Sequence, residues 1–314
     1  MNLSRIDPQK LKTMRVGVLE GGLSTEREVS QRSGAAIAKG LREAGYTVAQ
    51  LDVGKDLPAK LVAEKIEVAF IALHGRYGED GSVQGLLESM FIPYTGSGVL
   101  ASSVGMEKVF TKQVFVANGI PTPGFASFTT AAEALAAKLP FDFPCVVKPS
   151  NEGSSVGVFI PKSRAEYETA IAEASKYAGK LLVEQYVKGR EVQGAVLDDE
   201  ALGVIEIKPA REFYDYQAKY GANSGTQYLF PAPISKPQYD RVMELCLKAH
   251  QALGCSGATR SDAIVTESGE VTLLEVNTLP GMTATSLLPK IAAGRGISFS
   301  QLCERLLQSA SLKA

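Results

Sequence analysis

Val68-Ala69-Phe70-Ile71-Ala72-Leu73 is apolar without a break. That is the pattern of a strand buried on both faces, not on one. Two shorter elements lead up to it: Arg15-Val16-Gly17-Val18-Leu19, which enters a Gly21-Gly22 turn, and Thr47 to Val53. Between those two, Ile37 and Leu41 fall four apart and Gly45 stands where a helix would stop, so a helix is expected there. Strand–helix–strand order with a fully buried strand points to an open, mostly parallel α/β domain. In such sheets ligands bind outside the carboxyl ends of the strands. The polar clusters Ser24 to Ser30 and His74 to Gly81 follow the first and third strands, where a site belongs. Gly21-Gly22 is followed by Leu-Ser-Thr-Glu rather than the rest of G-x-G-x-x-G, so a nicotinamide site is not expected.

The chain is long enough, at 314 residues, for two or three domains with real cores. The passage Thr95-Gly96-Ser97-Gly98, with Met106-Glu107-Lys108 expected to open a helix, places one boundary near 105. Lys188-Gly189-Arg190-Glu191 reads as a turn carrying opposite charges after the strand Leu181 to Val187. A net charge of −1 gives no electrostatic case for nucleic acid or an anionic membrane. No apolar run approaches the roughly 18–20 residues that span a bilayer. Met1 to Met14 has no apolar core of a secretion signal. Cys145, Cys246, Cys255 and Cys303 show no CxxC spacing and have apolar neighbours, which suits reduced core thiols and a cytoplasmic location.

Two central stretches carry chemistry. Cys145-Val146-Val147-Lys148-Pro149 reads as a strand running into Ser150-Asn151-Glu152-Gly153-Ser154-Ser155-Val156-Gly157. A Gly- and Ser-rich loop can turn N–H groups and hydroxyls toward phosphates, with Lys148 at its entrance, though a plain hairpin tip has the same composition. It is not a P-loop, since G-x-x-x-x-G-K-[ST] is missing. Further on, Leu274 and Val276 alternate with Glu275 and Asn277, so the two polar residues share one strand face. A polar turn, Thr266 to Glu270, allows an earlier strand carrying Asp262 to fold back beside them. Two carboxylates and an amide oxygen suit Mg²⁺; a solvated hairpin face would look the same. The stretch Arg211 to Gly225, aromatic and charged, reads as a long functional loop. His250 on an amphipathic helix reads as a packing or surface residue, and Phe299 to Leu312 as a closing helix.

In this order the motifs resemble the D-alanine–D-alanine ligase family of the ATP-grasp superfamily. The matching blocks are G-G-x-S-x-E-R-E-V-S at Gly21 to Ser30, His-Gly-x-x-Gly-Glu-Asp-Gly from His74, the Lys148 to Gly157 loop, and Arg-x-Asp … Glu-x-Asn from Arg260 to Asn277. The resemblance runs from about Val16 to the last helix. It implies an α/β chain: a Rossmann-like N-terminal domain, 1–105, and a two-lobed ATP-grasp part, 106–190 and 191–314, that clamps ATP between antiparallel sheets. It implies phosphorylation of one D-alanine carboxylate by ATP, then attack by the amine of a second D-alanine, in a cytoplasmic homodimer supplying peptidoglycan precursors. Two Mg²⁺ ions, with Mn²⁺ as a substitute, would sit on Asp262, Glu275 and Asn277.

By motif match, Lys108, Lys148 and Lys219 resemble phosphate ligands, with Ser154-Ser155 folded over the phosphates. Glu184 and Val187 resemble adenine contacts, Glu191 a ribose contact, and Phe213 and Leu274 the walls of the base. Glu26, with Val29 and Ser30 beside it, resembles the holder of the first ammonium, and His74 lies near that substrate's carboxylate. Ser154 and Tyr220 would join Glu26 in closing the long loop. Arg260 and the Gly281 N–H resemble oxyanion stabilisers; Ser286 and Leu287 resemble the clamp on the second carboxylate. Departures are Gln185 in place of a common Lys, Glu20 before the Gly-Gly turn, Ser261 and Ala263 around Asp262, and Thr283-Ala284-Thr285 in place of Thr-Ser-His. A D-alanine–D-lactate ligase and a non-catalytic nucleotide or amino-acid sensor on the same fold are the alternatives.

The residue types suit this chemistry in themselves. A carboxylate needs phosphorylation to become an electrophile, but it meets like charge on approaching ATP. Two unit charges at 4 Å repel by about 4 kcal/mol at an effective dielectric near 20. Lysines and a metal ion can cancel this, and no nucleophilic side chain is required.

Overall fold

The computed structural model describes residues 6–177, 179–208 and 225–313. Phe213, Lys219 and Tyr220 of the expected functional loop lie outside the described residues.

The N-terminal part runs α1 (Pro8–Thr13), β1 (Arg15–Gly21), α2 (Arg27–Glu43), β2 (Thr47–Val53), α3 (Leu57–Ala63), β3 (Val68–Ile71) and α4 (Ser82–Ser89). Its three strands are parallel in the order β2-β1-β3. Period two in β1 sends Val16 and Val18 to the α2 side, where they meet Ile37 and Leu41. Leu19 points the other way, to Leu57, Leu61 and Leu87 of α3 and α4. All of β3 is buried, as the unbroken apolar run requires.

Next come α5 (Val99–Met106) and α6 (Lys108–Ala117). Met106 therefore ends one helix instead of opening another. Glu107 between them is extended (φ −92°, ψ 96°), which breaks the helical path, and its carboxylate accepts the Ser150 hydroxyl.

A small lobe follows: β4 (Phe125–Phe128), α7 (Ala131–Ala136), β5 (Cys145–Pro149), α8 (Arg164–Ala174) and β6 (Leu181–Gln185). Its antiparallel sheet has the order β4-β6-β5. Tyr167 and Ile171 of α8 pack on Cys145, Val147, Leu181 and Val183.

The largest sheet contains β7 (Arg190–Leu197), β8 (Glu200–Lys208), β9 (Gln227–Leu229), β10 (Ala258–Val265) and β11 (Val271–Asn277), with α9 (Lys236–Ala252) between β9 and β10. Its order is β11-β10-β7-β8-β9 and its pairs are antiparallel. Val192, Val196, Val204, Ala263 and Val265 face α9, which supplies Val242, Leu245, Cys246 and Ala249. By alternation Glu191, Gln193, Arg260 and Asp262 stand on the opposite face.

The chain closes with α10 (Leu287–Gly294) and α11 (Phe299–Gln308). Leu302, Cys303 and Leu307 of α11 share one core with Ile37 and Leu41 of α2, Ile291 of α10 and Ile205 of β8. Each such fully buried aliphatic side chain contributes about 1.5–3 kcal/mol. The last helices thus fasten the parallel sheet to the large sheet and fix the cleft between them. The cysteines are free, and His250 is a packing residue whose Nδ1 lies 2.8 Å from Thr259 Oγ1.

Candidate active site

The β10–β11 hairpin closes at Thr266, whose N–H donates to Glu270 O at 2.9 Å. Its register sets Asp262 opposite Glu275 and Arg260 opposite Asn277. On the other side of β10, Gln193 of β7 is the partner of Asp262. Glu275, Asp262 and Gln193 therefore form a row across three neighbouring strands. Asn277 Oδ1 accepts the Leu279 N–H at 3.0 Å, which orients the amide as the strand ends. Arg260 Nε lies 3.4 Å from Asp262 Oδ1. Lys108 Nζ lies 3.6 Å from Glu275 Oε2 and donates to Glu152 O at 2.6 Å.

Among the described residues, no three His, Cys, Asp or Glu side chains gather into a closed metal cage. The hairpin offers instead two carboxylates and an amide oxygen, an incomplete set of hard donors. That fits a cation such as Mg²⁺, which usually completes its sphere with water and substrate phosphates.

Two clefts meet beside this hairpin. The first, about 140 Å³, is lined by Glu26, Val29, His74, Gln193, Tyr228, Arg260, Asn277, Gly281, Ser286 and Leu287. The second, about 390 Å³, lies between the small lobe and the large sheet. Lys148, Ser155, Glu184, Val187, Glu191, Asp262 and Leu274 line it. Ligand pockets are about 300–1,000 Å³, and the second cleft falls within that range, with room for a nucleotide. Lys108, Gly153, Ser154 and Glu275 line both clefts. Any group passed from one ligand to the other would cross there.

The floor of the second cleft is a buried charge cluster. The Glu184 carboxylate is bridged by Lys148 at 2.5 Å on Oε2 and by Lys112 on Oε1. Burial disfavours the ionised Glu184, but the two lysine charges outweigh it and hold the carboxyl below its usual pKa. Burial also opposes the charge on Lys148, yet Glu184, Glu275 and Asp262 together raise its pKa. Lys112 goes the other way: burial is the largest cause, and repulsion from Lys148 adds to it.

The Gly-Ser loop bends over the junction. Ser154 and Ser155 have φ of 53° and 60°, the left-handed region that costs a non-glycine residue roughly 1–2 kcal/mol. Ser154 Oγ donates to Glu26 Oε1 at 2.5 Å, and this contact helps hold the strained turn. Ser154→Ala is expected to raise the KM of whatever binds at Glu26 by about tenfold, the scale of a hydrogen bond to a charged group. Steady-state kinetics check this, and an unchanged KM would show that the contact is incidental.

His74 is 8% exposed, and its Nδ1 lies 3.1 Å from Glu79 Oε1. Its Nε2 is buried with no hydrogen-bond partner among the described residues, and the residue lines the first cleft. Burial opposes protonation, but the Glu79 hydrogen bond and the charges of Glu79 and Glu26 outweigh it and raise the pKa. A protonated ring there would offer an N–H to an anion.

Sequence models of the two halves of one family match this chain. "D-ala D-ala ligase C-terminus" covers residues 114–308, and "D-ala D-ala ligase N-terminus" covers 50–97. The D-alanine–D-alanine ligase of Anaeromyxobacter dehalogenans (strain 2CP-C) is 56% identical over 302 residues, which is 96% of this chain and 98% of that one. The chain belongs to the D-alanine–D-alanine ligase family. The family's enzyme from Geotalea uraniireducens (strain Rf4) is 53% identical over 304 residues, 97% of this chain and 98% of that one. The crystal structure of the Bacillus anthracis D-alanine–D-alanine ligase superposes with a TM-score of 0.82 at 36% identity, covering 95% of this chain and 97% of that one. A second structure of that enzyme, complexed with ATP, gives 0.82 at 34% identity with the same coverage. The ATP-grasp architecture and the use of ATP follow from this membership.

Most described residues singled out by resemblance to the family line these two clefts; Ser30 does not, and Glu184 does so with its carboxylate engaged. Ser30 is fully buried and donates to Ala72 O at 2.7 Å, so its hydroxyl anchors α2 to β3 and is not part of the cleft lining. The Glu184 carboxylate is held between lysines instead of standing open. Glu20, the departure before the Gly-Gly turn, lines neither cleft: Gln50 donates to it at 3.2 Å, and it lies against Gly34 of α2. Glu26 sits at the N-cap of α2 but makes no capping bond with its side chain, which leaves it to Ser154.

Gly281 has a packing reason to be glycine. A Cβ there would come within 2.9 Å of Ser286 Oγ and 4.0 Å of His74, so the backbone can approach a ligand closely. Ser286 stands at the N-cap position of α10 without a side-chain capping bond, and its Oγ accepts the Thr283 N–H at 3.0 Å. Sequence reasoning missed Lys112, Gln193 and Tyr228. For Lys112 a signal existed: it follows Lys108 by four, which puts both on one face of a helix. Nothing in the pattern of β7 distinguished Gln193, whose Oε1 is buried without a hydrogen-bond partner among the described residues.

Proposed function

We propose that this chain joins two D-alanines into D-alanyl-D-alanine, converting ATP to ADP and phosphate, as a step toward peptidoglycan precursors. The observation that carries the mechanism is the pair of clefts sharing a wall at Lys108, Gly153, Ser154 and Glu275. ATP occupies the larger cleft, and both amino acids occupy the smaller.

Lys108 and Lys148 lower the repulsion between the γ-phosphate and the first D-alanine carboxylate. That carboxylate attacks phosphorus, the bond to the β-phosphate oxygen breaks, and an acyl phosphate forms. Mg²⁺ held by Asp262, Glu275 and Asn277 would supply charge neutralisation among the phosphate oxygens. Glu26 pairs with the first ammonium, while His74 Nε2 lies near the reacting carboxylate. The neutral amine of the second D-alanine then attacks the acyl carbon, a C–N bond forms, and the amine's surplus proton leaves with the phosphate. Arg260 and the Gly281 N–H stabilise the oxyanion, and phosphate leaves. Ser286 and Leu287, at the N-terminus of α10, hold the second carboxylate. Ser155, Val187, Glu191 and Leu274 surround the nucleotide, with Glu184 beneath it; Phe213, Lys219 and Tyr220 complete the closing loop in this reading.

We propose with it the division into 1–105, 106–190 and 191–314, a homodimer and a cytoplasmic location. Among the described residues no helix is long and apolar enough to cross a membrane. The test is product analysis with ATP, Mg²⁺, and D-alanine and D-lactate in competition at neutral pH. Dipeptide is expected to dominate, with ATP use dependent on D-alanine. A depsipeptide majority, or ATP hydrolysis indifferent to D-alanine, overturns the reading.

A further inference from the structure

Lys112 is fully buried on α6 and lines neither cleft. A lysine almost never sits so deep unless paired, and an apolar side chain of similar size would avoid the desolvation penalty. Its ammonium bridges Glu184 Oε1 and donates to Thr122 Oγ1 at 2.6 Å; Thr122 in turn donates to Leu273 O of β11 at 2.9 Å. The other Glu184 oxygen carries Lys148. One carboxylate therefore balances two ammonium groups, and the cluster retains one net positive charge.

We infer that Lys112 is a positioning residue for nucleotide binding: by occupying one oxygen of Glu184, it prevents that carboxylate from neutralising Lys148. The inference rests on the reading that Lys148 faces the phosphates. Without Lys112, Glu184 and Lys148 form an isolated neutral pair. Both carboxylate oxygens can then turn to Lys148, and the phosphates meet a compensated cation. With Lys112 in place, the Thr122 and Leu273 links fix the cluster to the strand that carries Glu275, two residues further on. The cationic floor and the acidic hairpin are thereby held in one frame.

Calorimetric titration with a non-hydrolysable ATP analogue and Mg²⁺ tests this on four proteins. They are the native chain, Lys112→Met, the double variant Lys112→Met/Glu184→Gln, and Lys148→Met. Lys112→Met is expected to weaken the analogue about tenfold. The double variant, which removes both opposite charges and frees Lys148, is expected to return to within about threefold of native. In steady-state kinetics Lys112→Met should raise the KM for ATP but leave that for D-alanine unchanged. A merely structural lysine would lower the melting temperature without this split and without rescue by the second substitution.

Native-like affinity in Lys112→Met, or a double variant as weak as the single one, overturns the role of Lys112. If Lys112→Met fails to fold, the double variant decides alone: affinity within threefold of native supports the role, and a tenfold loss overturns it. Lys148→Met separates the two layers. Unchanged affinity there overturns the placement of the phosphates, and the role of Lys112 with it. Weakened affinity there, with native-like Lys112→Met, overturns only the latter.

Discussion

Glu275→Gln is expected to lower turnover by about 10²–10³-fold while the chain stays folded, the scale seen when one electrostatic stabiliser of a transition state is removed. The side chain is 32% exposed at the junction of the two clefts, so its loss opens no core cavity. Three things change together. The hairpin loses one of its two carboxylates, Lys108 loses the partner at 3.6 Å, and the row through Asp262 loses its outer member. All three act on the charge that develops during phosphoryl transfer, which is mostly positioning and electrostatic stabilisation. Saturating kinetics with circular dichroism on the same sample give the result. Turnover near the native level would overturn the metal role proposed for Glu275.

The largest effect on stability is expected at Glu184. Glu184→Gln leaves Lys112 and Lys148, 0% and 7% exposed, without their shared counter-charge. Breaking a buried ion pair by removing one partner costs about 3–5 kcal/mol. The pH dependence has a definite sign. The folded pKa of Glu184 lies below its unfolded value, so its stabilisation is present above the unfolded pKa of about 4.3. It is lost as pH falls through the folded value. The stability gap between native and variant chains should therefore be full at pH 7 and shrink progressively below about pH 4. Urea midpoints across that range measure it; a gap that stays constant in acid would show that the cluster does not stabilise the fold through this ionisation.

The N-terminal sheet was legible because its signals are local. An unbroken apolar run, a four-residue apolar spacing and a Gly stop decide strand, helix and end within a few residues, and β1 to β3 follow them. The hairpin was legible for the same reason: alternation puts Glu275 and Asn277 on one face, and the turn at 266–270 brings Asp262 back to them. The break at Glu107 was harder to see. Met106-Glu107-Lys108 has ordinary helix formers, and what interrupts the helix is a contact to Ser150, 43 residues away. Ser30 was misplaced for a related cause. It sits in a matched block, but helical geometry turns its hydroxyl inward to Ala72.

The sequence by itself determined the family and the reaction, and it named most of the residues that line the two clefts. Blocks of fixed spacing specify which side chains share a face, and those types admit few reactions. Only the tertiary structure decided that Lys112 and Lys148 share one carboxylate, and that two clefts join at Lys108 and Glu275. Those pairings connect residues from 36 to 167 positions apart in the chain. No periodicity extends that far. Sheet order, register and the burial of one element against another set them, and burial is also what turns three ordinary side chains, Lys112, Glu184 and Lys148, into one coupled charge.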